Sequence, residues 1–377
     1  MDGTLKKIAS NFLYTPDGII PRVKVTIDTI SGVITDLSRW ENIDSEPFTE
    51  FYSGIMVPSF VNAHTHLELA ALKGKIAPGV GNALFASKIG SVRREVSPED
   101  SLHCMQQQNL QMWESGTGYV ADISNDASSF CVKKASPIKY HTFLECFGLK
   151  NSNIESLLAL RDDSHTLSAH SMYAIQDSDL RKIMLMQEGP LSLHFGESKD
   201  EDAIFRREGN LYKWYQKENF NCDFLHYHSI TERLIKTIPK DRKLILVHCS
   251  HIGKNDIEQI MSHFDEVYWV LCPRSNRYIS NFDITKSDVW NERHRLNICF
   301  GTDSLASNHT ENLLDEILEL QESPQFLLKA LTSTGYKLMS VEKLPWIERG
   351  NIAHISIISG IDSNCNFTQK AKIRRII

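Results

Sequence analysis

The feature that most constrains this chain is a repeated alternation: a short apolar or β-branched run, a polar residue at its end, then a longer amphipathic stretch. The runs cover residues 55–62, 118–123, 140–147, 166–169, 191–194, 244–248, 267–271 and 297–301. Helical periodicity fills stretches between or after them, including 100–115, 177–187, 203–217, 231–238 and 312–320. Apolar runs of strand length separated by helix-length segments read as βα units, and eight of them predict a (β/α)8 barrel, which needs about 250 residues. The 377 residues supply that and leave a remainder at both ends. Alternating runs at 22–28 and 32–37, and short β-like runs after residue 350, predict a small β domain. The sequence therefore reads as an α/β chain, with 1–54 and 345–377 in the small domain and 55–344 in the barrel.

Composition removes several function classes. Hydrophobic residues make up 41% and charged residues 23%, which excludes a disordered or fibrous chain. The formal net charge of -6 supplies no basic field for nucleic acid or acidic membranes. No apolar run approaches the roughly 20 residues a membrane helix requires. The first residues carry no apolar stretch behind Lys6 and Lys7, so no secretory signal is read and the expected compartment is the cytoplasm. Eight cysteines are scattered without a C-x-x-C pair, and Cys249, Cys272 and Cys299 read as reduced core residues. A small solute is the expected partner.

Chemistry gathers at the ends of the runs. His64 and His66 stand two apart, so a strand's two-residue period puts both imidazoles on one face. An H-x-H triplet alone is as readily a pair of hydrogen-bonding histidines. However, the run 191–194 ends in His194, 244–248 ends in His248, and the last run leads through Gly301-Thr302 into Asp303. In a barrel these carboxyl-terminal strand ends surround one mouth. Imidazole nitrogen and carboxylate oxygen are suited to Zn²⁺, with Fe²⁺ or Mn²⁺ as substitutes. His66-Leu67-Glu68 imitates the H-x-E of zinc cytidine deaminases but lacks their P-C-x-x-C partner, and no phosphate-binding glycine loop is present.

These motifs together resemble the amidohydrolase superfamily. The closest branch is that of cytosine-, guanine- and S-adenosylhomocysteine-deaminase-like enzymes and triazine hydrolases. Pro58-Ser59-Phe60-Val61-Asn62-Ala63-His64-Thr65-His66 is similar to the family's P-G-F-(V/I)-N-x-H-x-H strand, with Ser59 in place of glycine. His194-Phe195-Gly196-Glu197-Ser198 resembles H-x-x-E-(S/T), and Gly301-Thr302-Asp303-Ser304 through Ser307-Asn308 resembles G-T-D-S-x-x-S-N. The resemblance implies one divalent metal, zinc first, held by His64, His66, His194 and Asp303. It implies His248 as a hydrogen-bond donor to the nucleophilic water or the tetrahedral centre, Glu197 as proton shuttle, and Asp303 as acceptor of the water's proton. No lysine ends the fourth run, where binuclear members carry a carbamylated one, so a single metal is expected.

Substrate contacts are expected from Glu68, His170, Arg274, Ser275, Asn276 and Ser304. Cys272-Pro273-Arg274-Ser275-Asn276 resembles the family's C-P-x-S-N loop, and a loop-structuring role for Ser275 and Asn276 competes with contact. His66-Leu67-Glu68-Leu69 resembles aminofutalosine-deaminase-like proteins, although Glu68 in a first helical turn would equally serve the helix dipole. The expected reaction is hydrolytic deamination of a purine-nucleoside-like or other amino-heterocycle, aminofutalosine-like substrates included. A cyclic amide or halogenated triazine is the alternative. A non-catalytic binding barrel would show a damaged residue set, and every position is filled. A homodimer is compatible with the sequence.

Overall fold

The computed structural model describes residues 5–162 and 164–377. The first four residues, where the targeting-signal reading and the small-domain assignment begin, and Asp163 lie outside the described residues. The chain divides into two compact units: one holds the N-terminal part through Val61 with Leu110–Tyr119 and Asn312–Ile377, the other Asn62–Asn109 and Val120–Glu311.

The first unit is organised by a six-stranded sheet. Its strands are β1 (Leu5–Thr15), β2 (Gly18–Asp28), β3 (Ile34–Arg39) and β4 (Thr49–Val57), joined by the two last strands of the chain, Ser356–Ile361 and Phe367–Arg375. A Pro16-Asp17-Gly18 turn closes the β1–β2 hairpin, with Gly18 at φ +138°. β4 runs parallel to β1 and antiparallel to Ser356–Ile361. Both chain ends thus build one sheet, over a core of Ile8, Leu13, Val25, Ile34, Met56, Ile355 and Ile357. Pairing at Gly54 demands glycine, because a Cβ there would stand 2.1 Å from the Ile358 carbonyl oxygen.

The apolar run expected at 55–62 is two elements. Pro58 offers no N–H to a ladder, and the chain breaks at Pro58-Ser59 between β4 and β5 (Phe60–Thr65). The other seven runs each form one strand: β6 (Thr117–Ser124), β7 (Lys139–Cys146), β8 (His165–Ala169), β9 (Leu191–Phe195), β10 (Leu244–His248), β11 (Val267–Leu271) and β12 (Asn297–Phe300). They make two four-stranded sheets ordered β5-β6-β7-β8 and β9-β10-β11-β12. Parallel pairing is shown for β7 with β8 and for β9 through β12. Isolated parallel bridges join Ser171 to His194 and Thr65 to Asp303. β9, β10 and β11 are buried along their whole length, as expected of parallel strands covered on both faces, and so is β6.

The helix read at 203–217 is broken in the structure: Arg207 (φ +62°) and Gly209 (φ +81°) turn the chain before a helix at Gly209–Lys217. All eight cysteines are free thiols, with Cys146, Cys249, Cys272 and Cys299 buried. Among the described residues no helix is long and apolar enough to cross a membrane.

Candidate metal centre

β5 delivers His64 into the interior and ends at Thr65, and His66 then starts a 3-10 turn over Leu67–Leu72. The backbone after β12 comes against it. The amides of Thr302 and Asp303 each donate to the His64 carbonyl at 3.1 Å, and the His66 amide donates to the Asp303 carbonyl at 3.3 Å. Gly301 permits this approach: a Cβ at that position would meet the His64 oxygen at 2.7 Å, its Cβ at 2.8 Å and its nitrogen at 2.9 Å. Asp303 (φ +58°) and His248 (φ +71°) both occupy the left-handed region, a strained conformation that surrounding structure holds at functional sites.

The strand-end side chains converge. His66 Nε2 lies 3.4 Å from His194 Nε2 and 3.5 Å from Asp303 Oδ1, which is 3.7 Å from His64 Nε2. One ligand atom from each of His64, His194, His248 and Asp303 falls within 4.8 Å of the others. Ligands of a tetrahedral zinc, at about 2.1 Å from the ion, stand roughly 3.4 Å apart. His64 is 1% exposed, yet neither of its ring nitrogens has a hydrogen-bond partner, and the same holds for His66 Nδ1. A buried polar atom without a partner costs about 1–3 kcal/mol, and a bound cation would remove that cost.

Charge states fit the same purpose. Burial, reinforced by the charge of His64, drives the His66 pKa down to about 3. Burial and the charges of His170 and His64 hold His194 well below its ordinary value. Neutral imidazoles keep the lone pairs that a metal needs. For Asp303, burial pushes the pKa upward, but the imidazoles of His64, His66 and His248 beside it outweigh burial and hold the carboxylate ionised. Ser275 and Ser307 each donate to Asp303 Oδ2 at 2.6 Å, leaving Oδ1 to face the histidines. His194 Nδ1 lies 3.0 Å from the His170 carbonyl and 3.4 Å from Glu145 Oε1. The carbonyl can only accept, so the proton sits on Nδ1 and Nε2 is left as a donor of electrons.

Glu197 and His248 flank this cluster, His248 Nε2 being 3.8 Å from Glu197 Oε1. His248 Nδ1 is anchored 2.9 Å from Asn276 Oδ1. The Glu197 loop is gathered by Glu201, whose buried carboxylate accepts the amides of Gly196 (2.8 Å) and Ser198 (3.0 Å). Burial, then the charge of Glu197, pushes the Glu201 pKa up to about 8.

Of the residues expected to touch substrate, Ser275 and Asn276 face Asp303 and His248. His170 stacks on His194 with centroids 4.5 Å apart, and its Nδ1 lies 3.1 Å from the Ser171 hydroxyl. Ser304 is buried with its hydroxyl 3.5 Å from that of Ser307, and Arg274 Nε lies 3.4 Å from Asn308 Oδ1. The Glu68 carboxylate is enclosed, bound by Arg93 at 3.1 Å and the Asn125 amide at 3.0 Å, and burial pushes its pKa up to about 7. Glu145, Glu201 and Ser307 escaped the sequence reading. Glu145 sits next to the end of β7, where the strand-end rule already pointed, and Ser307 lies within the G-T-D-S-x-x-S-N signature.

Comparison with known proteins now decides the family, since the model of the amidohydrolase family matches residues 55–377. This chain belongs to the amidohydrolase family. An adenosine deaminase of Helicobacter pylori (strain ATCC 700392 / 26695) is 27% identical over 359 residues, covering 87% of this chain and 83% of the relative. The structure of Helicobacter pylori aminofutalosine deaminase in complex with methylthio-coformycin has a TM-score of 0.77 at 23% identity, over 99% of this chain and 100% of the other. A zinc-bound adenosine deaminase of Xanthomonas campestris gives 0.71 at 18% identity, over 94% and 84%. Both structures share this chain's fold.

Proposed function

We propose that this amidohydrolase is a metal-dependent deaminase whose eight strands β5–β12 close into a (β/α)8 barrel. Its substrate is a purine-nucleoside-like amino-heterocycle, from which it releases ammonia. The observation that carries the reading is the convergence of His64, His66, His194, His248 and Asp303 in one buried cluster with Glu197 beside it. The names of the relatives, adenosine deaminase, 5-methylthioadenosine/S-adenosylhomocysteine deaminase and aminodeoxyfutalosine deaminase, support a nucleoside as the substrate class.

His64, His66, His194 and Asp303 would hold the divalent cation, zinc by choice of ligands, which supplies Lewis acidity and brings the pKa of water toward about 7. Asp303, kept ionised and fixed through Oδ2 by two serine hydroxyls, takes up the proton released as water attacks the amino-bearing carbon. Glu197 gives its proton to a ring nitrogen and then relays the proton that Asp303 took from water to the departing ammonia. His248 is held by Asn276 and turns Nε2 toward Glu197. A hydrogen on Nε2 would there donate to the negative charge that develops at the attacked centre. His170, stacked on His194, and Arg274, Ser304 and Glu68 border the same strand ends; we assign His170 to the substrate side.

The test is ammonia release from the zinc-loaded protein across adenosine, 5′-methylthioadenosine, S-adenosylhomocysteine, aminofutalosine, guanine and cytosine. A nucleoside substrate is the expected result. Halide release from a chlorotriazine or ring opening of a cyclic amide, with no ammonia from any nucleoside, would replace this reading. Glu197→Gln is expected to retain the metal while turnover falls about 10²–10⁴-fold.

A further inference from the structure

Glu311 lies eight residues beyond Asp303, and its side chain is buried, the residue being 2% exposed. One of its oxygens, Oε2, receives the hydroxyl of Thr302 and stands 3.2 Å from the hydroxyl of Thr65. Thr302 directly precedes Asp303, and Thr65 stands between His64 and His66. The Thr302 hydroxyl is itself an acceptor for the Asn62 side-chain amide at 2.7 Å, so its one hydrogen is committed to Glu311. Asn62 Oδ1 in turn accepts the Thr302 amide at 3.2 Å and the His64 amide at 3.4 Å. The Thr65 hydroxyl is shared between Glu311 and the Asp303 carbonyl at 2.7 Å. One buried carboxylate therefore ties the segment bearing two histidines to the segment bearing the aspartate.

We infer that Glu311 is a positioning residue of the metal centre: it braces His64-Thr65-His66 against Thr302-Asp303 and so sets the separation of their ligand atoms. This rests on the metal-centre reading above. The two backbone bonds to the His64 carbonyl pair the segments at one point. The Thr302 hydrogen on Glu311 Oε2, with the Thr65 hydroxyl beside the same oxygen, adds a second point of attachment. Without the carboxylate, the Thr302 hydroxyl keeps its donor and loses its buried acceptor. Supports of this kind behind a ligand are worth about 10–100-fold in metal affinity.

The experiment is zinc titration of metal-stripped protein against a chromophoric chelator, with thermal melts of the metal-free forms. Glu311→Leu, of similar volume and without an acceptor, is expected to weaken zinc binding about 10–100-fold. Glu311→Gln keeps one acceptor oxygen and should recover most of that loss. Thr302→Val removes the donor side and should weaken zinc binding in the same direction. Its effect should not add to that of Glu311→Leu if the two residues act as one unit. Should Glu311→Leu fail to fold, Thr302→Val combined with Glu311→Gln reads the same coupling. Wild-type zinc affinity in Glu311→Leu, with only the metal-free melt lowered, would overturn the brace while leaving the metal centre standing. Additive losses from the two positions would overturn it as well. A wild-type chain that takes up no zinc would overturn the brace and the metal centre together.

Discussion

Replacing Gly301 by alanine tests the closest packing in the centre. The added methyl carbon would meet three atoms of His64 at 2.7, 2.8 and 2.9 Å, two of them backbone. Ordinary contact begins at 3.4 Å, so the β12 end must withdraw from β5 by 0.5–0.7 Å. Overpacking of this kind costs about 1–3 kcal/mol. The more telling effect is on geometry, because Asp303 follows two residues later and its carboxylate moves with the strand end. A displacement near 1 Å at a reacting group costs about 10²-fold in rate, and zinc affinity should fall about 10–100-fold. Zinc titration and turnover on the best nucleoside substrate measure both effects. Gly90→Ala is the control: its methyl meets only an Arg94 nitrogen at 3.9 Å within a helix, so it should gain about 0.5–1 kcal/mol and leave zinc and turnover alone. A Gly301→Ala protein with wild-type zinc affinity and turnover would refute the claim that this close approach sets the ligand geometry.

Ser275→Ala and Ser307→Ala each remove one of the two hydroxyls on Asp303 Oδ2. Each should weaken zinc binding, by about tenfold in the double variant, with an unchanged Michaelis constant if neither serine touches substrate. Glu201 titrates near 8 in the fold and near 4.5 when unfolded. Between these values the folded state holds the extra proton, so this residue makes stability fall as pH rises from about 4.5 to about 8, by up to about 1.4 kcal/mol per pH unit. Urea unfolding of metal-free protein at several pH values should show a shallower fall in Glu201→Gln. An identical slope would remove Glu201 from the account. Chelation followed by gel filtration should abolish ammonia release, and added zinc should restore it.

Much of the architecture was legible because it rests on local periodicity. Seven of the eight apolar runs formed single strands at nearly the expected positions, since parallel strands buried on both faces must be apolar throughout. The run at 55–62 was misread because apolarity continues across Pro58, where the ladder cannot. The 203–217 stretch kept a helical pattern through Gly209, whose left-handed turn no hydropathy pattern records. Glu68 shows the limit for function: its enclosure by Arg93 and the Asn125 amide depends on two other segments, and no local pattern records it.

The sequence by itself determined the kinds of ligand and their direction: histidines two apart on a strand share a face, and polar residues ending apolar strands gather at one set of strand ends. Only the tertiary structure decided what holds them. His66 meets His194 across 128 positions, Thr302 meets Asn62 across 240, and Thr65 meets Glu311 across 246. Hydrogen bonds between residues so far apart leave no trace in local composition or spacing. They form because the two strand ends arrive side by side, and Gly301 leaves the room for them to do so.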